Sequence, residues 1–263
     1  MKKLIFPFWI LIGVLLAWPA FGYNGLVEVS IRSDRGFYLP TFPVSSEQAH
    51  TYRTYVEAVR GERYSVRVVN RSPYRLGVVI AVDGRNIISG KKSFLQPQER
   101  MYILDPHGAG LYEGWRTGRD RVNRFYFTEA GDSYAGAWGD HSAMGVIAVA
   151  VFPERRPPEP PPATIYEPEE PYRHQDRKEG LKKSAPQPMM PRAEAQPGTG
   201  FGEGRYSPSR RVDFEPEPVP VERHFLKYEW RETLCRRGII DCRPSGNRFW
   251  DEGRGYAPYP PGR

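Results

Sequence analysis

The chain has 263 residues, of which 39% are hydrophobic, and it carries 26 glycines, 27 prolines and a formal charge of +7. That length admits one large domain or two small ones, but so much glycine and proline excludes one compact fold running through the whole chain. Its two cysteines, Cys235 and Cys242, exclude a disulfide-dense scaffold and any four-cysteine zinc or iron–sulfur site.

Residues 1–22 read as a secretory signal. Lys2 and Lys3 form a basic start, Leu4 to Ala17 is apolar apart from one Pro and one Gly, and Ala20-Phe21-Gly22 puts small residues at the −3 and −1 positions of a cleavage site. Pro19 interrupts the end of the apolar run, which is short for a membrane span, so cleavage before Tyr23 and export to the periplasm or cell surface are expected. Past residue 22 no stretch is apolar enough to span a bilayer. Loss of Lys2 and Lys3 lowers the formal charge from +7 to +5. The remaining positive balance suits anionic polysaccharide or lipid head groups; nucleic acid is not the expected partner outside the cell.

Residues 23–152 contain repeated short β-like runs. Val27, Val29 and Ile31 alternate with Glu28, Ser30 and Arg32, and Tyr64, Val66 and Val68 alternate with Ser65, Arg67 and Val69. Leu76 to Val82 is apolar on both faces and reads as a central strand, closed by the turn pair Asp83-Gly84. Met101 to Leu104, Arg124 to Thr128 and Gly145 to Phe152 complete the set, with turns at Asn70-Arg71-Ser72-Pro73, Asp105-Pro106-His107-Gly108 and Gly139-Asp140. No helical stripe separates these runs, which excludes parallel crossovers and predicts an all-β domain, an antiparallel β-sandwich or jelly roll.

Residues 153–222 hold 16 of the 27 prolines, including Pro157-Pro158-Glu159-Pro160-Pro161-Pro162. Proline removes backbone donors and the segment has little apolar surface to bury, so a disordered Pro-rich linker is expected. Residues 223–263 then form a short C-terminal motif. Leu226, Trp230 and Leu234 suggest a helix over Phe225 to Arg237, and Gly238 with Ile239 suggests a Schellman stop. The turned chain brings Cys242 back towards Cys235, and a disulfide between them is expected.

One resemblance bears on the domain. Ala81-Val82-Asp83-Gly84-Arg85-Asn86-Ile87-Ile88, Tyr102-Ile103-Leu104-Asp105-Pro106, Gly114-Trp115-Arg116, Phe125-Tyr126-Phe127-Thr128, Asp132-Ser133-Tyr134-Ala135 and Gly145 to Phe152 follow in order. Over roughly residues 60–152 this series resembles an uncharacterised family of exported bacterial proteins with a β-sandwich-like domain. The resemblance implies architecture and no catalytic residue.

The sequence contains no nucleophile or metal motif of recognised spacing, and no catalytic, cofactor-binding or metal residue is assigned from it. Asp105 with His107, and His141 with Asp140 and Asp132, are the groups that could converge in turns as ligands of a metal-dependent hydrolase. Trp115, Arg116, Tyr134 and Trp138 are candidate binding residues, because exposed aromatic faces stack on sugar rings and arginine pairs with carboxylates. The reading that uses all three segments is a non-enzymatic exported adaptor of a cell-envelope assembly. In it the sandwich is tethered to an envelope protein partner through the long linker. A carbohydrate-binding module is the alternative, and a metal-dependent hydrolase the second.

Overall fold

Inward-facing apolar residues build the longer strands, some by alternation and others as runs buried on both faces. The computed structural model describes residues 25–155 and 196–242; the expected signal at 1–22, the residues 156–195 and the tail 243–263 lie outside it. The first sheet contains β1 (Val27–Ser33), β4 (Arg63–Asn70), β8 (Ala109–Tyr112), β9 (Gly114–Arg116), β10 (Arg121–Glu129), β12 (Pro197–Thr199) and β13 (Gly204–Tyr206). The second contains β2 (Thr41–Val44), β3 (Thr51–Ala58), β5 (Leu76–Val82), β6 (Arg85–Asn86), β7 (Tyr102–Leu104), β11 (Val146–Pro153) and β14 (Glu222–Trp230), in the order β2-β3-β14-β11-β5-β6 with β7 on β5. The all-β sandwich is therefore present. One pairing, β3 with β14, is parallel, so the second sheet is mixed where an antiparallel one was expected.

The two sheets close on a shared core. Tyr64, Val66 and Phe127 from the first meet Val78, Ile80, Ile147, Val149 and Tyr228 from the second, all essentially inaccessible to solvent. Tyr64 stacks on Phe127 at 4.3 Å between centroids. β5 is buried along its whole length, as its uninterrupted apolar run requires: its outer face packs Val79 with Ala150 and Phe152 beneath Leu95 and Met101.

Two expectations change at the C-terminal end. The helix expected over Phe225 to Arg237 is a strand as far as Trp230, with only Arg231–Arg236 helical (α1). In β14 every second residue, Glu222, His224, Leu226, Tyr228 and Trp230, is buried. A spacing of four residues is one helical turn and also two strand periods, so Leu226 and Trp230 fit both geometries. Tertiary pairing decides between them, because β14 fills the gap between β3 and β11. Burial of Leu226, Tyr228 and Trp230 stabilises the sandwich by about 2 kcal/mol each. The Schellman stop is present as expected: Gly238 takes φ +67°, its N–H donates to the Cys235 carbonyl at 2.9 Å, and Ile239 N–H donates to the Leu234 carbonyl at 3.0 Å. Cys235 and Cys242 are joined, with Cα atoms 5.5 Å apart.

The expected linker is also shorter at its far end. Residues 196–222 belong to the sandwich: β12 and β13 pair with β10, and Phe214 lies against Gly77 on the second sheet. Glycines at 198, 200 and 202 make this docking possible. A Cβ on Gly200 would stand 2.1 Å from the Tyr126 ring, and one on Gly198 would stand 2.5 Å from the Ser133 Cβ. Arg155 N–H donates to the Glu215 carbonyl, and the Gln196 carbonyl accepts from Ala130 N–H. Both ends of the intervening residues are thus fixed on one domain, so they do not connect the sandwich to a separate C-terminal unit. No helix among the described residues is long and apolar enough to cross a membrane.

Candidate functional site

The most concentrated polar chemistry lies inside the sandwich. Asp83 and Gly84 have φ values of +49° and +78°, as a two-residue hairpin turn between β5 and β6 requires. This turn buries the Asp83 side chain completely. Its Oδ1 accepts from Gly145 N–H at 2.8 Å and from the Tyr228 hydroxyl at 2.5 Å, and its Oδ2 accepts from Thr199 N–H at 2.7 Å. Thr199 Oγ1 lies 2.8 Å from the Tyr228 hydroxyl and 2.6 Å from that of Tyr64. Once Tyr228 donates to the carboxylate, the remaining directions follow: Thr199 donates to Tyr228, and Tyr64 donates to Thr199. Burial raises Asp83 to about 6, opposed by the hydrogen bonds from Tyr228, Thr199, Gly145 and Val146. Burial likewise pushes the Tyr64 and Tyr228 hydroxyls well above their ordinary value, with the Asp83 charge adding to the effect. Every member of this chain is solvent-inaccessible, so it ties β12 and β14 to β4 and the β5–β6 turn without presenting a reacting group.

The expected binding residues divide between interior and surface. Trp115 on β9 is 2% exposed and donates its indole N–H to the Gly200 carbonyl at 3.0 Å. Arg116 is committed as well: Nε donates to the Tyr102 hydroxyl at 2.8 Å, and Nη1 donates to the Ser207 carbonyl at 2.9 Å, clasping the returning chain. Tyr134 packs half-buried on Trp115 at 4.4 Å and stacks on Phe201 at 5.5 Å with a 20° interplanar angle. Only Trp138 is open, at 64% exposure.

Trp138 is nevertheless held. It ends a 3₁₀ turn, Gly136–Trp138, preceded by another at Ala130–Asp132. Ser133 Oγ accepts from Gly136 N–H at 2.9 Å and donates to the Ala130 carbonyl at 2.7 Å, tying the two turns together. The Trp138 ring meets Tyr134 edge-on at 6.4 Å, and the Arg85 guanidinium lies 5.2 Å from its centre. Arg85 Nη1 donates to the Gly90 carbonyl at 2.8 Å, while its buried Nε has no hydrogen-bond partner. Sequence reasoning missed Arg85 and Phe201 in this cluster. The signal for Phe201 was the alternation of glycines around it, which marks a strand-like chain pressed onto a neighbour.

The turn histidines do not converge. Among the described residues no cluster of three or more His, Cys, Asp or Glu could hold a metal ion. His107 sits at φ +56° in its turn, and the Asp105 carboxylate faces Arg75 at 3.9 Å. Asp140 accepts from Ser142 Oγ at 2.6 Å, which holds its carboxyl below the ordinary range, and it lies 3.8 Å from Lys92. No family model, curated protein or solved structure matches this chain.

Proposed function

We propose that this chain is a non-enzymatic, exported adaptor of a bacterial cell envelope that docks a protein partner on the face centred on Trp138. The observation that carries this reading is a 64% exposed tryptophan with an arginine against its ring and Tyr134 edge-on beside it. Trp, Tyr and Arg dominate the energetics of protein interfaces when grouped on a preorganised surface. The carbohydrate-binding alternative is less well supported. Trp115 is inside the fold, the faces of Tyr134 and Phe201 are turned to each other, and Arg85 lies over the Trp138 ring. The amino-terminal signal pattern and the Cys235–Cys242 bond both support an exported protein.

The adaptor differs from a simple two-ended tether, because the segment expected to form a helix after the linker is β14, which completes the sandwich. The test is a crosslinked recovery from native envelope with the mature chain and its Trp138→Ala variant. One defined protein recovered by the first and lost with the second supports the adaptor. Retention of the same polysaccharide by both, with no protein, overturns it.

A further inference from the structure

β1 is an edge strand of the first sheet, and half of that edge is open. Arg71 N–H donates to the Leu26 carbonyl at 2.7 Å, so even-numbered residues here turn their main-chain groups towards β4. Odd-numbered residues turn theirs away: the Ile31 carbonyl accepts from Leu39 N–H, and Ser33 N–H donates to the Phe37 carbonyl, both at 2.9 Å. Residues Phe37 to Leu39 therefore act as a short extra strand on the C-terminal half of β1, bridged at Arg32 and Tyr38. At Thr41, the residue that would have faced Val29, the chain instead crosses to the other sheet, opposite Val56. At the opposite end the Glu222 carboxylate accepts from the N–H groups of Leu26 and Val27. Between these two stops Val29 directs one N–H and one C=O outward, and neither has a partner among the described residues.

A cleft of about 420 Å³ lies at this point, with Val29 in its floor and Glu28, Ser30, Tyr38, Thr41 and Arg67 around it. Its remaining chemistry is also unspent. Ser30 Oγ is buried without a hydrogen-bond partner. Arg67 lies 5.9 Å from the centre of the half-exposed Tyr38 ring and makes no ion pair among the described residues, whereas Glu28 is held by Arg71. The uncompensated charge is thus positive, beside one free main-chain donor and one free acceptor.

We propose that this cleft binds an extended acidic peptide segment of a partner protein by strand addition. One peptide residue pairs with Val29 in line with Phe37 to Leu39, and a neighbouring glutamate or aspartate side chain reaches Arg67. A peptide residue presents an N–H and a C=O on one side at the spacing Val29 offers, which a saccharide hydroxyl set does not reproduce. This site shares no residue with the Trp138 face, so either can fail without the other.

The test uses the disulfide-bonded mature chain and a blocked pentapeptide of alternating valine and threonine with a central glutamate, followed by amide NMR and hydrogen exchange. Shifts confined to Val29, Ile31, Tyr38 and Arg67, with new protection at Val29 N–H, are expected. The same peptide N-methylated at the pairing residue loses binding, and Arg67→Gln weakens it by about fivefold or more. The N-methyl comparison is made on the unaltered chain and does not depend on any variant folding. Equal binding of the methylated peptide, absence of protection at Val29, or shifts produced by a galacturonate trimer and not by the peptide would each overturn the proposal.

Discussion

The buried chain from Asp83 through Tyr228 and Thr199 to Tyr64 and the open edge of β1 are two solutions to one problem, the satisfaction of polar groups. Along the buried chain the hydroxyls, the Asp83 oxygens and the Gly145 and Thr199 amides all have partners at 2.5–2.8 Å. At the edge, Val29 and Ser30 leave donors and acceptors unused beside a charged side chain. The comparison teaches that the densest polar cluster in this protein is architecture, while the sparse, incomplete one faces outward where a ligand can finish it.

The strongest way to break this contrast is to remove the interior's supports. A chain ending at Phe152 lacks β12 and β14, leaving Asp83 without Thr199 and Tyr228 and separating β3 from β11. Such a chain is expected to show no cooperative thermal transition. Next in size is Asp83→Ala, which strands the Tyr228 hydroxyl and two backbone N–H groups. A loss of about 3–5 kcal/mol in chemical denaturation checks it.

The pH dependence sharpens the same point. Asp83 is held at about 6 against an ordinary 3.8, so the folded chain binds this proton more tightly than the unfolded chain does. That stabilisation is complete below about pH 4 and is lost as the pH rises through about 6, a contribution of about 3 kcal/mol. Denaturation midpoints measured at intervals from pH 4 to pH 7 should carry this downward term, and Asp83→Asn should remove it. If the slope is the same in both chains, Asp83 is not its source.

Smaller effects follow at the periphery. Replacing both Cys235 and Cys242 by alanine releases a short loop after a six-residue helix and should cost about 2 kcal/mol, read as a lowered midpoint under oxidising conditions only. Trp138→Ala removes an exposed ring and should change stability by less than about 0.5 kcal/mol, although it abolishes partner recovery.

The legible part of the fold was the part whose buried positions are apolar, whether alternating as in β1 or continuous as in β5 and β11. The runs at Val27 to Ile31, Tyr64 to Val69, Leu76 to Val82 and Gly145 to Phe152 correspond to β1, β4, β5 and β11. β14 was misread because its inward positions include Glu222 and His224, polar residues that satisfy each other at 3.2 Å and hide the period of two. β12 was missed because Pro197-Gly198-Thr199 carries no apolar pattern: a Cβ on Gly198 would collide with Ser133, and one on the following Gly200 with Tyr126 of β10. At the candidate site, Trp138 was found and Trp115 misjudged for one reason. Sequence gives an aromatic residue's presence in a loop-rich stretch but not which side of a strand it takes, and β9 turns Trp115 inward. The unpaired edge at Val29 left no sequence signal, since it exists only because the chain leaves β1 after Leu39 to pair with β3 on the other sheet.

The parallel partnership of β3 with β14 also sets the order of events in biogenesis. Thr51 faces Arg223 and Ala58 faces Trp230, so the second sheet must wait for residues made long after β3 before its middle can close. Until then β3 and β11 each present a raw edge to whatever is nearby. Contacts so remote in sequence make slow folding kinetics the expectation, with a nascent chain that depends on being kept apart from its neighbours until β14 arrives.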